Sequence, residues 1–207
     1  LNTLAAQNPE QKEPLQPLRK KKSRPRPQEP SFDMREYLYQ IHGVDLSQID
    51  GIGPYQALRL TSEIGTDMSR WPTAHHFTAW LTLAPQNKVS GGRLLSSTTR
   101  SSANRAKGMF RMIAMSVVRT DTALGAFYRR LSSRIGKAKA ITATARKVAI
   151  LVYRMLKGEI TYQDPGPDAY AQRQRTKALR NLKKRAKSLG FELVQVDSGE
   201  LLVEGVS

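Results

Sequence analysis

Between Pro54 and Gly158, large apolar residues return every three or four positions in successive segments, with Gly65, Pro85, Gly136 and Gly158 as punctuation. That period leaves few choices other than packed amphipathic helices. Ala57, Leu58, Leu60, Thr61 and Ile64 mark one helix, with Pro54 suited to its first position and Gly65 to the residue past its end. A second is expected from Thr73, with Phe77, Trp80, Leu81 and Ala84 on one face and Pro85 as its stop. Met109, Phe110, Ile113, Ala114 and Val117 carry a third. Asp121 is placed to cap a fourth, bearing Leu124, Phe127, Tyr128 and Leu131 and ending near Gly136. The longest sets Ile141, Ala145, Val148, Ala149, Val152 and Leu156 inward. Only the polar stretch from Gln86 to Ser102 is too short of apolar residues for a helix.

The flanks differ in kind. Residues 1–31 are rich in Pro, Gln, Lys and Arg, and the run from Arg19 to Arg26 repels itself and cannot bury a core. It reads as a disordered basic linker, serving either as a solvated tether or along a phosphate backbone. Pro165-Gly166-Pro167 precedes a very basic helix expected over Asp168–Leu189. Phe191–Val196 and Leu201–Val203 then resemble two short strands around Asp197-Ser198-Gly199. The expected fold is therefore mainly α. A compact helical domain with a helix-hairpin-helix element spans residues 32–163, and a basic helix with a small β-hairpin spans 164–207.

Charge narrows the function. Lys and Arg number 34 against 17 acids, a formal net charge of +17, and such a surface attracts a polyanion by releasing condensed counterions. No apolar run approaches the roughly 18 residues of a membrane span, which argues against a membrane partner. There is no cysteine, so disulfides and thiolate metal sites are excluded, and a reducing, cytoplasmic setting is expected. The chain opens on Leu1 without signal-peptide features, and it reads as part of a longer polypeptide.

Two constellations suit nucleic-acid chemistry. Gly51-Ile52-Gly53, between two apolar-patterned segments, has the form of a helix-hairpin-helix turn. Its Gly51 and Gly53 would let backbone N–H groups meet a phosphate at the start of a helix. The alternative is a tight turn packed inside the domain. Ser90-Gly91-Gly92-Arg93, followed by Ser96, Ser97, Arg100 and Asn104, gathers hydroxyls, glycines and guanidinium groups. A serine there could attack phosphorus, with arginines steadying the charge on the phosphoryl oxygens. The alternative is a mobile polar loop. Arg100, Asn104, Lys107 and Arg111 would share one face if the next helix began near Arg100. His42, the adjacent His75 and His76, and the scattered acids form no metal-ligand pattern, so no metal site is expected. Tyr128 and Tyr153 sit on apolar stripes and suit packing better than attack.

Taken in order, several motifs resemble one family. They are Leu46-Ser47-Gln48-Ile49-Asp50-Gly51-Ile52-Gly53, Glu63-Ile64-Gly65, Trp80-Leu81-Thr82-Leu83-Ala84-Pro85, Ser90-Gly91-Gly92, Lys139–Lys147 and Tyr153-Arg154-Met155-Leu156. The set resembles the C-terminal transposase domain of the IS one-ten (IS116/IS110/IS902-type) insertion-sequence family, related to Piv-type DNA invertases. The resemblance implies DNA transposition by a two-part recombinase. An N-terminal RuvC-like domain would hold Mg2+ through acids not found here, so this chain by itself would be inactive and carry no cofactor. The C-terminal part would supply a serine, best placed at Ser90, with Ser96 and Ser97 as fallbacks because Leu94–Asn104 departs from the commoner pattern. Gly51, Gly53, Arg93, Arg100, Asn104, Lys107 and Arg111 are the expected DNA-binding residues. DNA, a structured guide RNA in some members, and further copies of the chain are the implied partners. The competing readings are a non-catalytic helix-hairpin-helix nucleic-acid-binding module and a basic RNA-packaging or ribosome-associated protein.

Overall fold

The computed structural model describes residues 33–194, together with Leu15 and Pro17. The basic linker expected over residues 1–31 therefore lies outside the described residues, apart from those two. Among the described residues, seven α-helices follow in order: α1 Met34–His42, α2 Pro54–Ile64, α3 Ala74–Trp80, α4 Arg105–Ser116, α5 Ala123–Ile135, α6 Lys137–Leu156 and α7 Gly166–Ser188. A 3-10 turn, Leu46–Gln48, precedes α2. An antiparallel hairpin of β1 Lys88–Ser90 and β2 Arg93–Ser96 stands between α3 and α4.

Helix ends follow the local chemistry. Asp33 accepts from the N–H groups of Arg35 and Glu36 at the start of α1. Pro54 opens α2 and Gly65, at φ +76°, closes it. Thr122, not Asp121, caps α5 by accepting from Gly125 N–H. Asp121 projects into solvent one residue too early, with its side chain 96% exposed. Asn104 caps α4, so that helix begins five residues after Arg100.

The core lies where α6 crosses α3, α4 and α5, with α2 packed against α4. Phe77 of α3 meets Trp71 edge-on at 5.0 Å, Phe110 of α4 edge-on at 6.2 Å and Tyr153 of α6 at 5.7 Å. Phe77, Phe110 and Tyr153 are all buried, and each such ring contributes roughly 1.5–3 kcal/mol from burial. Tyr153 also donates its hydroxyl to Trp71 O at 2.7 Å. It is a core residue, as the apolar stripe predicted, and Tyr128 is likewise buried. Trp80, expected inward, is 38% exposed at the end of α3.

The long basic helix begins at Gly166, and no residue of it is buried. Its first turns rest on α5, where Tyr170 meets Phe127 edge-on at 6.3 Å. Asp164 accepts from Ala123 N–H at 2.9 Å just before it. The strand expected from Phe191 is not formed over Phe191–Val194. Among the described residues no sheet edge lies beside them, and Phe191 and Val194 are exposed. The remainder of that expected hairpin lies outside the described residues.

Candidate functional site

The segment that promised no helix forms a ribbon. Lys88-Val89-Ser90 and Arg93-Leu94-Leu95-Ser96 pair around Gly91-Gly92, with Ser90 opposite Arg93, Val89 opposite Leu94 and Lys88 opposite Ser96. Gly91 and Gly92 have φ of +54° and +74°. Two successive positive φ angles are what a two-residue type I′ turn requires, and only glycine adopts them without strain. A register shift between Lys88 and Val89 leaves Leu95 as the extra residue. Directly opposed residues share a face, as do residues two apart on one strand. Lys88, Ser90, Arg93 and Ser96 therefore lie on one face of the ribbon.

The base of the ribbon is fastened rung by rung. Gln86 N–H donates to Thr98 O at 2.9 Å, and Thr82 Oγ1 lies 2.7 Å from Ser102 Oγ. Asn104 Nδ2 donates to Trp80 O at 3.3 Å. With the Gln86 amide turned so that its oxygen faces the guanidinium group, it accepts from Arg100 Nη2 and Nε at 2.8 and 2.6 Å. From Gln86 to Ser90 the extended chain advances roughly 13 Å, so Ser90 stands well out from the helical body. It is exposed.

The expected DNA-binding residues are only partly gathered here. Arg93 stands across from Ser90, and Arg100 is held at the ribbon's base. Lys107 Nζ donates to Arg100 O at 3.0 Å, which ties α4 to the same loop. Asn104 accepts from Lys107 N–H through Oδ1 and donates to Trp80 O, so both ends of its amide are engaged. Arg111 leans the other way, donating to Thr142 of α6 at 3.2 Å. The single ridge expected from Arg100 to Arg111 does not form, because Arg100 precedes the helix. Of the fallback serines, Ser96 Oγ sits 3.3 Å from Thr98 Oγ1, while Ser97 is exposed.

The two glycines of Gly51-Ile52-Gly53 play different parts. Gly51 has φ +90°, and a Cβ there would lie 2.6 Å from Ser116 Oγ, 2.8 Å from Val117 Cγ1 and 3.0 Å from Ile113 O. It is a turn pressed against the end of α4. Gly53 has open space around it and begins α2 without a side-chain cap. What precedes the turn is the three-residue 3-10 segment.

Electrostatics set the ribbon apart. Between Asp67 and Asp121 the sequence has no Asp or Glu, but it carries Arg70, Lys88, Arg93, Arg100, Arg105, Lys107, Arg111 and Arg119. No carboxylate or imidazole is bonded to Ser90 among the described residues. Ring nitrogens of His76 and His42 instead lie 2.8 and 2.7 Å from the hydroxyls of Thr73 and Thr61. Among the described residues no group of three or more His, Asp or Glu side chains is placed to hold a metal ion. No helix among them is long and apolar enough to cross a membrane.

The Gly-Gly turn flanked by Val89 and Leu94 was the signal from which the ribbon could have been read, and the acid-free stretch was the signal for its charge. No curated protein and no solved structure matches the chain. Residues 45–129, which include the glycine turn, the ribbon and all of α4, match the family model described as Transposase IS116/IS110/IS902 family, and that match supports a transposase domain and a role in DNA transposition.

Proposed function

We propose that the ribbon is the nucleophile-bearing element of a DNA recombinase, with Ser90 as the attacking residue. In this reading Ser90 Oγ forms a bond to a DNA phosphorus, and the bond from that phosphorus to the departing deoxyribose oxygen breaks. The serine proton passes to a base and the departing oxygen takes up a proton. The phosphoserine ester keeps the bond energy available. A hydroxyl of a new DNA end then attacks the same phosphorus and releases the serine. Arg93, across the turn, and Lys88, on the same face, supply cations for the phosphoryl oxygens. Arg100 and Lys107 bind the neighbouring backbone.

The observation that carries this reading is the exposed position of Ser90 at a glycine turn facing Arg93, inside a stretch without acids. A nearby carboxylate would repel the incoming phosphate. The proton acceptor and any magnesium-holding acids belong, in this proposal, outside residues 33–194. Joining two DNA ends calls for a second copy of the chain. A structured guide RNA would meet the same positive surface.

The want of a bonded base beside Ser90 favours one rival, a phosphate-clamping module without chemistry of its own. Replacement of Ser90 by Ala in the complete polypeptide separates the two. The recombinase reading expects strand cleavage to vanish while DNA affinity stays within about twofold. Unchanged cleavage would leave the clamp.

A further inference from the structure

The charge of α7 plays no part in the site above. Arg173, Arg175, Lys177, Arg180, Lys183, Lys184, Arg185 and Lys187 all lie on this helix and all are exposed, and no acid occurs between Asp168 and Glu192. None of the eight has an acidic partner among the described residues. At about 100° per residue, six of them, Arg173, Lys177, Arg180, Lys183, Lys184 and Lys187, fall within about 120° of one another. Arg175 and Leu182 lie on the opposite side.

Such a stripe is costly to hold. Arg173 and Lys177, Arg180 and Lys184, and Lys183 and Lys187 are like-charge neighbours four apart, each opposing the helix. Burial gives little in return, since beyond the docked turns near Tyr170 the helix stands in solvent. A polyanion laid along the stripe removes the repulsion. From Arg173 to Lys187 the helix rises about 21 Å, over which duplex DNA carries about twelve phosphate charges. A membrane surface fits less well. The side opposite the stripe exposes Leu179, Leu182 and Leu189, but Arg175 stands among them and interrupts the apolar face that would seat in lipid.

We infer that the basic stripe of α7 is a second phosphate-backbone contact for duplex DNA, separate from the ribbon. It would bind without reading sequence and hold DNA while the ribbon engages its target phosphate. The ribbon reading does not depend on it, because Ser90→Ala leaves the stripe intact.

The test compares the full chain with the variant K177Q/R180Q/K184Q/K187Q and the opposite-face control R175Q/R185Q. Fluorescence anisotropy on a labelled DNA duplex is measured across salt concentrations, with circular dichroism confirming equal helix content. Losing four phosphate contacts should lower the slope of log affinity against log salt by about 3–4, at about 0.9 per contact. The control should lose less per charge removed. An unchanged slope in the stripe variant overturns the inference, as does an equal loss per charge in the control. Loss confined to duplex RNA, or to phosphatidylserine–phosphatidylcholine vesicles, overturns it as well.

Discussion

Replacing Gly51 with Ala separates the structural part of the glycine turn from any contact with DNA. At φ +90° a side chain is strained wherever it points, which costs about 1–2 kcal/mol. The new Cβ would also lie 2.6 Å from Ser116 Oγ, 2.8 Å from Val117 Cγ1 and 3.0 Å from Ile113 O. The serine can turn away at the expense of its 2.8 Å bond to Ile113 O, but the backbone carbonyl cannot. Overpacking of this kind adds about 1–3 kcal/mol, so the total is about 2–5 kcal/mol. For a chain of this size, each kcal/mol moves the melting temperature by about 2–4 °C. Gly51→Ala should therefore lower it by about 7–14 °C at the middle of the range. Gly53→Ala, with φ −90° and open space around it, should stay within about 1 kcal/mol of the parent. Thermal and urea unfolding followed by circular dichroism measure both. Equal stability of Gly51→Ala and the parent would refute the packed-turn account.

Other expectations are more local. Tyr153→Phe deletes the 2.7 Å bond to Trp71 O and leaves a buried carbonyl without that donor. The loss should be about 1–3 kcal/mol by urea unfolding, with DNA cleavage by the folded protein unchanged. Asp45 is partly desolvated, which raises its pKa. The hydrogen bonds from Arg35 and Ser47 and the charge of Arg35 outweigh that and hold it below 3.8. Because the folded value is depressed, its contribution to stability is full well above pH 3.8 and is lost as pH falls through the lower folded value. Urea midpoints between pH 2 and 5 should show this loss in the parent and a smaller dependence in Asp45→Asn.

The helices were legible because burial wrote its period into them. Ala145, Val148, Ala149 and Val152 recur on one face of α6, and all are buried. Caps were less legible, since Asp121 and Thr122 are both good acceptors and only the path of the chain chooses Thr122. The ribbon escaped because its strands are short and most of their described side chains are exposed. Val89 and Leu95 are 62% and 68% exposed, and strands of three and four residues are too short for their alternation to stand out. Its serine was legible as a residue, whereas its place opposite Arg93 came only with the turn. The contacts that fix the ribbon's base, Gln86 with Arg100 and Asn104 with Trp80, join residues far enough apart that no local spacing announces them.

The central claim is that one hydroxyl at the tip of the ribbon carries the DNA strand. The direct measurement is mass-spectrometric mapping of the covalent protein–DNA adduct formed by the complete polypeptide with magnesium and its DNA substrate. The account predicts a nucleotide-bearing peptide whose modified residue is Ser90. That peptide should be absent from Ser90→Ala and retained in Ser96→Ala and Ser97→Ala. An adduct that maps to Ser96 or Ser97, or that persists without Ser90, would contradict it.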